Sequence, residues 1–168
     1  MVQDISPGHS SLLVASATVS GSGNTPLWEL PMPTGSPRRL GDLAGNYASQ
    51  SPDGKQIVFS QGKDLYLANA DGTSPHRLLS VRGLAFAPNF SPDGSRIRFS
   101  VQDEANTSGS SLWEVRADGS NLHPLLAGWR SLHTECCGRW THDGRYYVFQ
   151  ENPIHGGNIF AGLHLGSG

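Results

Sequence analysis

His133, Glu135, Cys136, Cys137 and His142 fall within one stretch, Ser131 to Gly144, that reads SLHTECCGRWTHDG. All five are residue types that hold metal ions. Their order works against it, because neighbours on an extended strand point to opposite faces. Cys136 and Cys137 therefore do not converge on one ion without a bulge. No second cysteine pair exists to complete a structural site, so no metal is expected. A disulfide between adjacent residues is strained, so the pair does not report the redox compartment either.

Hydrolytic chemistry finds no better footing. A nucleophile elbow needs Gly-x-Ser-x-Gly, and the nearest approach, GHSSL at Gly8–Leu12, lacks the final glycine. The GSGN stretch at Gly21–Asn24 is followed by neither a helix pattern nor a Lys-Ser/Thr pair, so it reads as a loop and not as a phosphate cradle. Seven histidines and fourteen acids are enough to imagine a triad anywhere, so scattered residues carry no weight. No catalytic residue and no cofactor is expected.

The elements that must carry any site are therefore the informative part. The chain has 168 residues, enough for one domain with a sizeable core. Its 21 glycines and 11 prolines suit many short strands joined by tight turns. A net charge of −2 gives no broad pull toward nucleic acid or anionic membrane. No apolar run is long enough for a transmembrane helix, and the N-terminus lacks the basic flank of a signal peptide. The compartment, cytoplasmic or periplasmic, stays open.

One phrase is written twice: SPDGKQIVFS at Ser51–Ser60 and SPDGSRIRFS at Ser91–Ser100. Aligned on Val14, Phe59, Phe99 and Phe149, four copies appear at offsets of 45, 40 and 50 residues. They run approximately over 1–44, 45–83, 84–130 and 131–168. Each has a turn, such as Ser51-Pro52-Asp53-Gly54 or Thr141-His142-Asp143-Gly144, followed by a strand. A second strand follows, at Leu27–Leu30, Leu65–Leu67, Leu112–Val115 and Asn158–Ala161. Short closing strands are expected at Arg38–Leu40, His76–Leu78 and His123–Leu125, and leading strands should end at Gln50, Phe90 and Trp140.

The turn chemistry explains the recurrence. Proline presets φ near −65°, aspartate accepts hydrogen bonds from amides just ahead, and glycine takes the positive φ that other residues resist. Four strands per unit at a period of roughly 40 to 45 residues match one blade of a β-propeller. The fold class is thus all-β: a single propeller of four-stranded antiparallel blades. Trp28, Trp113 and Trp140 read as blade core.

The pattern SPDG…I.F…LY/LW…DG…L resembles the TolB-like, WD40-like repeat of bacterial propellers and covers nearly the whole chain. The third and fourth copies resemble propellers attached to bacterial transcriptional regulators and serine/threonine kinases. That resemblance implies a non-catalytic scaffold, the sensor or interaction module of a signalling or regulatory protein. Two alternatives stay open: the propeller of a prolyl-oligopeptidase-type hydrolase, with its triad on another domain, or a TolB-like periplasmic assembly partner.

Copy one is expected to lack most of its first strand and copy four its last. The result is three and a half to four blades, against the four to eight of a closed ring. A piece of a larger propeller, a ring closed by several chains through open blade edges, and a compact four-bladed ring all remain open. The tight turns share one face. The longer segments, Ala17–Thr25, Ser80–Ala85, Val101–Ser110, Ala127–Glu135 and Gln150–Gly157, share the other. That face is expected to carry Arg82, Asp103, Glu104, Trp129, Arg130, His133, Glu135 and His155, where a protein or small ligand would bind.

Overall fold

The computed structural model describes residues 1–15, 24–102, 104, 109–127, 133–153 and 159–164. The described residues form fifteen strands and no helix. Blade one is β1 (Val2–Ile5), β2 (Ser11–Ala15), β3 (Thr25–Pro31) and β4 (Arg38–Gly45). Blade two is β5 (Tyr47–Gln50), β6 (Gln56–Gln61), β7 (Asp64–Asn69) and β8 (His76–Ser80). Blade three is β9 (Leu84–Phe90), β10 (Arg96–Gln102), β11 (Ser110–Arg116) and β12 (His123–Pro124). Blade four supplies β13 (His133–Trp140), β14 (Tyr146–Pro153) and β15 (Ile159–His164).

Within each blade the strands meander, each antiparallel to the next. The leading strands end at Gln50, Phe90 and Trp140, as the turn positions require. Copy one differs from expectation. Val2–Ile5 pairs with β2 from Val2↔Val14 to Ile5↔Leu12, and this strand has the same length as its counterpart β5. In the turn behind it, the leading serine accepts from the amide five residues on, as in the other copies.

Those bonds repeat closely. Oγ of Ser51 donates to Asp53 Oδ1 at 2.6 Å and accepts from the Gln56 amide at 2.9 Å, while the Lys55 amide donates to the same aspartate at 3.0 Å. Ser91 and Asp93 do likewise, as do Thr141 and Asp143, where a threonine hydroxyl replaces serine. In copy one, Ser6 Oγ accepts from the amides of Ser10 and Ser11, and His9 takes the positive φ that glycine holds elsewhere. Successive turns also stack: Pro7 lies beside Gly54, Pro52 beside Gly94, and Pro92 beside Gly144.

Three apolar layers fill the spaces between blades. Leu13, Leu27, Leu40 and Leu43 meet Ile57, Phe59 and Ala68 between blades one and two. Val58, Leu65 and Leu67 meet Ile97, Phe99, Val101 and Val115 between blades two and three. Leu112 meets Tyr147 and Phe149, flanked by Trp140, between blades three and four. Each such Leu or Phe contributes about 1.5–3 kcal/mol on burial. Middle blades are covered on both faces, so β6 and β10 are buried at four or more consecutive positions. Terminal blades are covered on one. Along β14, Tyr147 and Phe149 are buried while Tyr146 and Val148 are exposed. Trp28 and Trp113 occupy one repeat position, each opposite the aligned residue of the preceding strand, Val14 or Phe99, and both are half-buried.

Candidate functional site

The leading strands β1, β5, β9 and β13 stand side by side at the propeller axis, and polar side chains tie β1 to β5, β9 to β13 and β13 to β1. Gln3 Oε1 accepts from the Ala48 amide at 3.3 Å, and Asp4 Oδ2 accepts from the Gln50 amide at 2.9 Å. Asn89 Nδ2 donates to the Gly138 carbonyl at 3.2 Å. Arg139 Nη1 donates to Asn89 Oδ1, and its Nη2 reaches the Gln3 carbonyl at 3.5 Å, joining the fourth blade to the first. A polar belt thus lines the axis.

The belt has a repeat position of its own. Asp4, Ser49, Asn89 and Arg139 each lie two residues before the turn serine or threonine. At and beside this position the leading strands are irregular. Register shifts fall between Val2 and Asp4 in β1, opposite Arg98–Ser100 in β9, and between Cys136 and Arg139 in β13. Ala87 and Cys137 take φ of 49° and 61° in the latter two. Bulges of this kind re-aim side chains, and here they turn polar groups toward the axis.

Beside the belt lies a cavity of about 200 Å³, lined by Val2, Tyr47, Ala87, Cys137 and Arg139 among others. Val2, Tyr47, Ala87 and Cys137 come early in or midway along their strands, with Arg139 one residue from the end of β13, so the cavity opens toward the side where the connections between blades run. The same side carries the β6–β7 turn: the Val81 and Ala85 amides donate to the carbonyls of Lys63 and Gly62. Tyr47 and Leu84 are exposed there, and the Tyr47 ring stands 5.9 Å from that of Phe86. The rim is thus apolar and aromatic, with a guanidinium at its floor. Among the described residues no carboxylate forms an ion pair with Arg139.

Burial raises the Tyr47 phenol above its ordinary pKa, and the neighbouring cysteines add to the effect. Burial also pushes the Cys136 thiol up to about 12, helped by a hydrogen bond with Cys137. Tyr47 and the Cys136 thiol are therefore neutral at pH 7.

A larger groove of about 440 Å³ lies on the opposite face between blades one and two. Its carboxylates are already engaged. Glu29 accepts from Arg38 at 2.7 Å and from Ser11 at 2.9 Å, Asp53 is held by Ser51, and Asp71 by Thr73. Such groups have little left to offer a ligand.

Of the residues expected on the long-loop face, Arg82 and Glu104 are exposed on it. His133 opens β13. Asp103, Trp129, Arg130 and His155 lie outside the described residues. Glu135 is placed differently from a solvated loop residue. It is buried on β13, where Oε2 accepts from the Leu112 amide at 3.1 Å and its carbonyl accepts from Ser110 Oγ at 2.8 Å. Glu135 therefore knits blade four to β11, beside the one parallel pairing among the described residues, Ser110↔Thr134. The belt residues Gln3, Asn89 and Arg139, and Tyr47 at the rim, were missed. A polar column two residues before each turn was the signal available for Asn89 and Arg139.

No protein-family profile matches the sequence. An uncharacterized protein of Agrobacterium fabrum is 31% identical over 108 residues, which is 61% of this chain and 36% of that protein. Among solved structures, a putative TolB from Agrobacterium tumefaciens superposes with a TM-score of 0.78 at 22% identity, over 96% of this chain and 60% of that one. TolB from Acinetobacter baumannii gives 0.79 at 15% identity, over 100% and 41%. Prolyl endopeptidases share the architecture more distantly, with a TM-score of 0.63 at 13% identity. The fold is that of a TolB-like β-propeller. The chain spans about a third of the curated relative's length, and 60% and 41% of the two TolB structures.

Proposed function

We propose that this chain is a β-propeller binding module whose axial pocket, on the long-loop side, takes an extended partner segment with a carboxylate among apolar residues. One observation carries the reading. Arg139 sits at the floor of an apolar, aromatic rim with no carboxylate partner among the described residues. A guanidinium presents a planar fork that matches a carboxylate, and exposed aromatic groups serve as anchors in interfaces. Arg82 and Glu104, with Asp103, Trp129, Arg130, His133 and His155 of the same loops, are proposed to frame the pocket and set selectivity. Glu135 supports it from behind.

The repeat phrase favours the interaction module of a bacterial signalling or regulatory protein, and the solved structures favour a TolB-type assembly partner. Rigid presentation of one pocket serves either, and the reading is one of binding without catalysis.

Selection from a displayed random-peptide library tests it. Enriched peptides should carry Asp, Glu or a free C-terminus flanked by apolar residues. They should lose most of their affinity for Arg139→Gln and for Tyr47→Ala, with thermal melts showing both variants folded. Enrichment of peptides that bind both variants as well as the parent chain would overturn the proposal.

A further inference from the structure

The axial cavity differs from an open channel because its floor is bridged. Arg139 of β13 crosses the axis: Nη1 donates to Asn89 Oδ1 on β9, and Nη2 reaches the Gln3 carbonyl on β1 at 3.5 Å. Asn89 is 7% exposed, and its amide is fixed by its surroundings. Nδ2 donates to the carbonyls of Ala87 at 2.9 Å and Gly138 at 3.2 Å, so Oδ1 is the side that faces the guanidinium. An asparagine in this place accepts from Arg139 without neutralising it, and the Gln3 carbonyl does the same from the far side of the axis. The guanidinium is held by neutral dipoles, and its charge is kept for what enters the cavity.

We propose, resting on the binding reading above, that the occupant of this cavity is a chain end: the free C-terminal carboxylate of a peptide or protein tail whose last residue is apolar. Space decides between a chain end and an internal acid. The cavity measures about 200 Å³. At about 30 Å³ per water that is room for roughly seven water-sized groups, the scale of one amino-acid residue.

An internal Asp or Glu brings the chain to the mouth twice, once on the way in and once on the way out. Neighbouring extended segments stand about 4.8 Å apart, and a bridged floor leaves no exit on the other side. A terminus enters once. It lays two carboxylate oxygens against the planar guanidinium fork and its last side chain against Val2, Tyr47, Ala87 and Pro88, which line the same cavity. A terminal carboxylate is also a recurring element of peptide recognition.

The test separates this assignment from the broader reading. Two pools of random hexapeptides, one with free carboxyl termini and one with C-terminal amides, are passed over the immobilised 168-residue chain, and retained peptides are sequenced by mass spectrometry. The free-acid pool should be enriched in peptides ending in Leu, Ile, Val or Phe. Amidating a retained peptide should weaken it at least about tenfold. Arg139→Gln should erase the difference between acid and amide, whereas Tyr47→Ala should weaken both forms and keep their ratio, with thermal melts showing both variants folded. Retained peptides that bind equally well as amides, through an internal Asp or Glu and still through Arg139, would overturn the chain-end assignment and leave the carboxylate reading standing. Retention of neither pool, or an acid–amide ratio unchanged in Arg139→Gln, would overturn both.

Discussion

Nε of Arg98 donates a 2.7 Å hydrogen bond to Oε2 of Glu114, directly across the β10–β11 register, with the arginine fully buried and the glutamate 7% exposed. Trp140 and Tyr147 of blade four cover the guanidinium, their ring centres 4.1 and 4.9 Å from its carbon. Glu114 also draws Arg96 to 3.8 Å. The equivalent pair in blade two is Val58↔Leu67, wholly apolar. Removing one partner of a buried ion pair leaves an uncompensated charge, whereas replacing both by apolar residues is often neutral. Glu114→Ala should therefore cost about 3–5 kcal/mol in denaturant unfolding, and Arg98→Val with Glu114→Leu should regain most of it. A double variant no more stable than the single one would refute this account.

The Tyr147 hydroxyl is buried and has no hydrogen-bond partner among the described residues. An unsatisfied buried group costs about 1–3 kcal/mol. Tyr147→Phe keeps the ring over Gly138 and removes that penalty, so the melting temperature should rise. A clear fall would mean the hydroxyl is satisfied in solution.

His9 and Gly94 hold the same turn position with φ of 54° and 72°. A residue with a Cβ pays about 1–2 kcal/mol there. His9→Gly should stabilise the first blade by about 1 kcal/mol, and Gly94→Ala should destabilise the third by a similar amount. A Cβ on Gly94 would meet Pro52 no closer than 3.5 Å, so crowding does not confuse the comparison. Urea midpoints moving the same way in both variants would contradict it.

Hydrogen bonds from Ser91 hold the Asp93 carboxyl down to about 2, against an ordinary 3.8. Those from Ser51 and Thr141 lower Asp53 and Asp143, and those from Thr73 and Ser120 lower Asp71 and Asp118. Because the folded value lies below the unfolded one, this stabilisation is complete above about pH 4 and is lost as pH falls through 2. Urea midpoints should drop steadily over that window, and Asp93→Asn should flatten the drop. An unchanged slope in that variant would separate the turn from acid sensitivity.

Much of this architecture was legible along the chain because it is local. The Ser-Pro-Asp-Gly turn closes its own hydrogen bonds within six residues, so it can be read without knowing what lies across from it. The strand ends at Gln50, Phe90 and Trp140 follow from it directly. The loop face was read from connection lengths, which are equally local.

What folding alone decided depends on residues far apart in sequence. Glu135 looked like a loop acid until Leu112 took its carboxylate. Arg98 stands between Ile97 and Phe99 on β10, and only folding closes Glu114, Trp140 and Tyr147 around it. Arg139 reaches Gln3 across 136 positions. The bulge at Cys137 is a mismatch in register between two strands, and neither strand carries it by itself. Turns are set by short-range dihedral preferences and strands by alternation. The axial belt exists only because packing the blades side by side brings four leading strands to one axis.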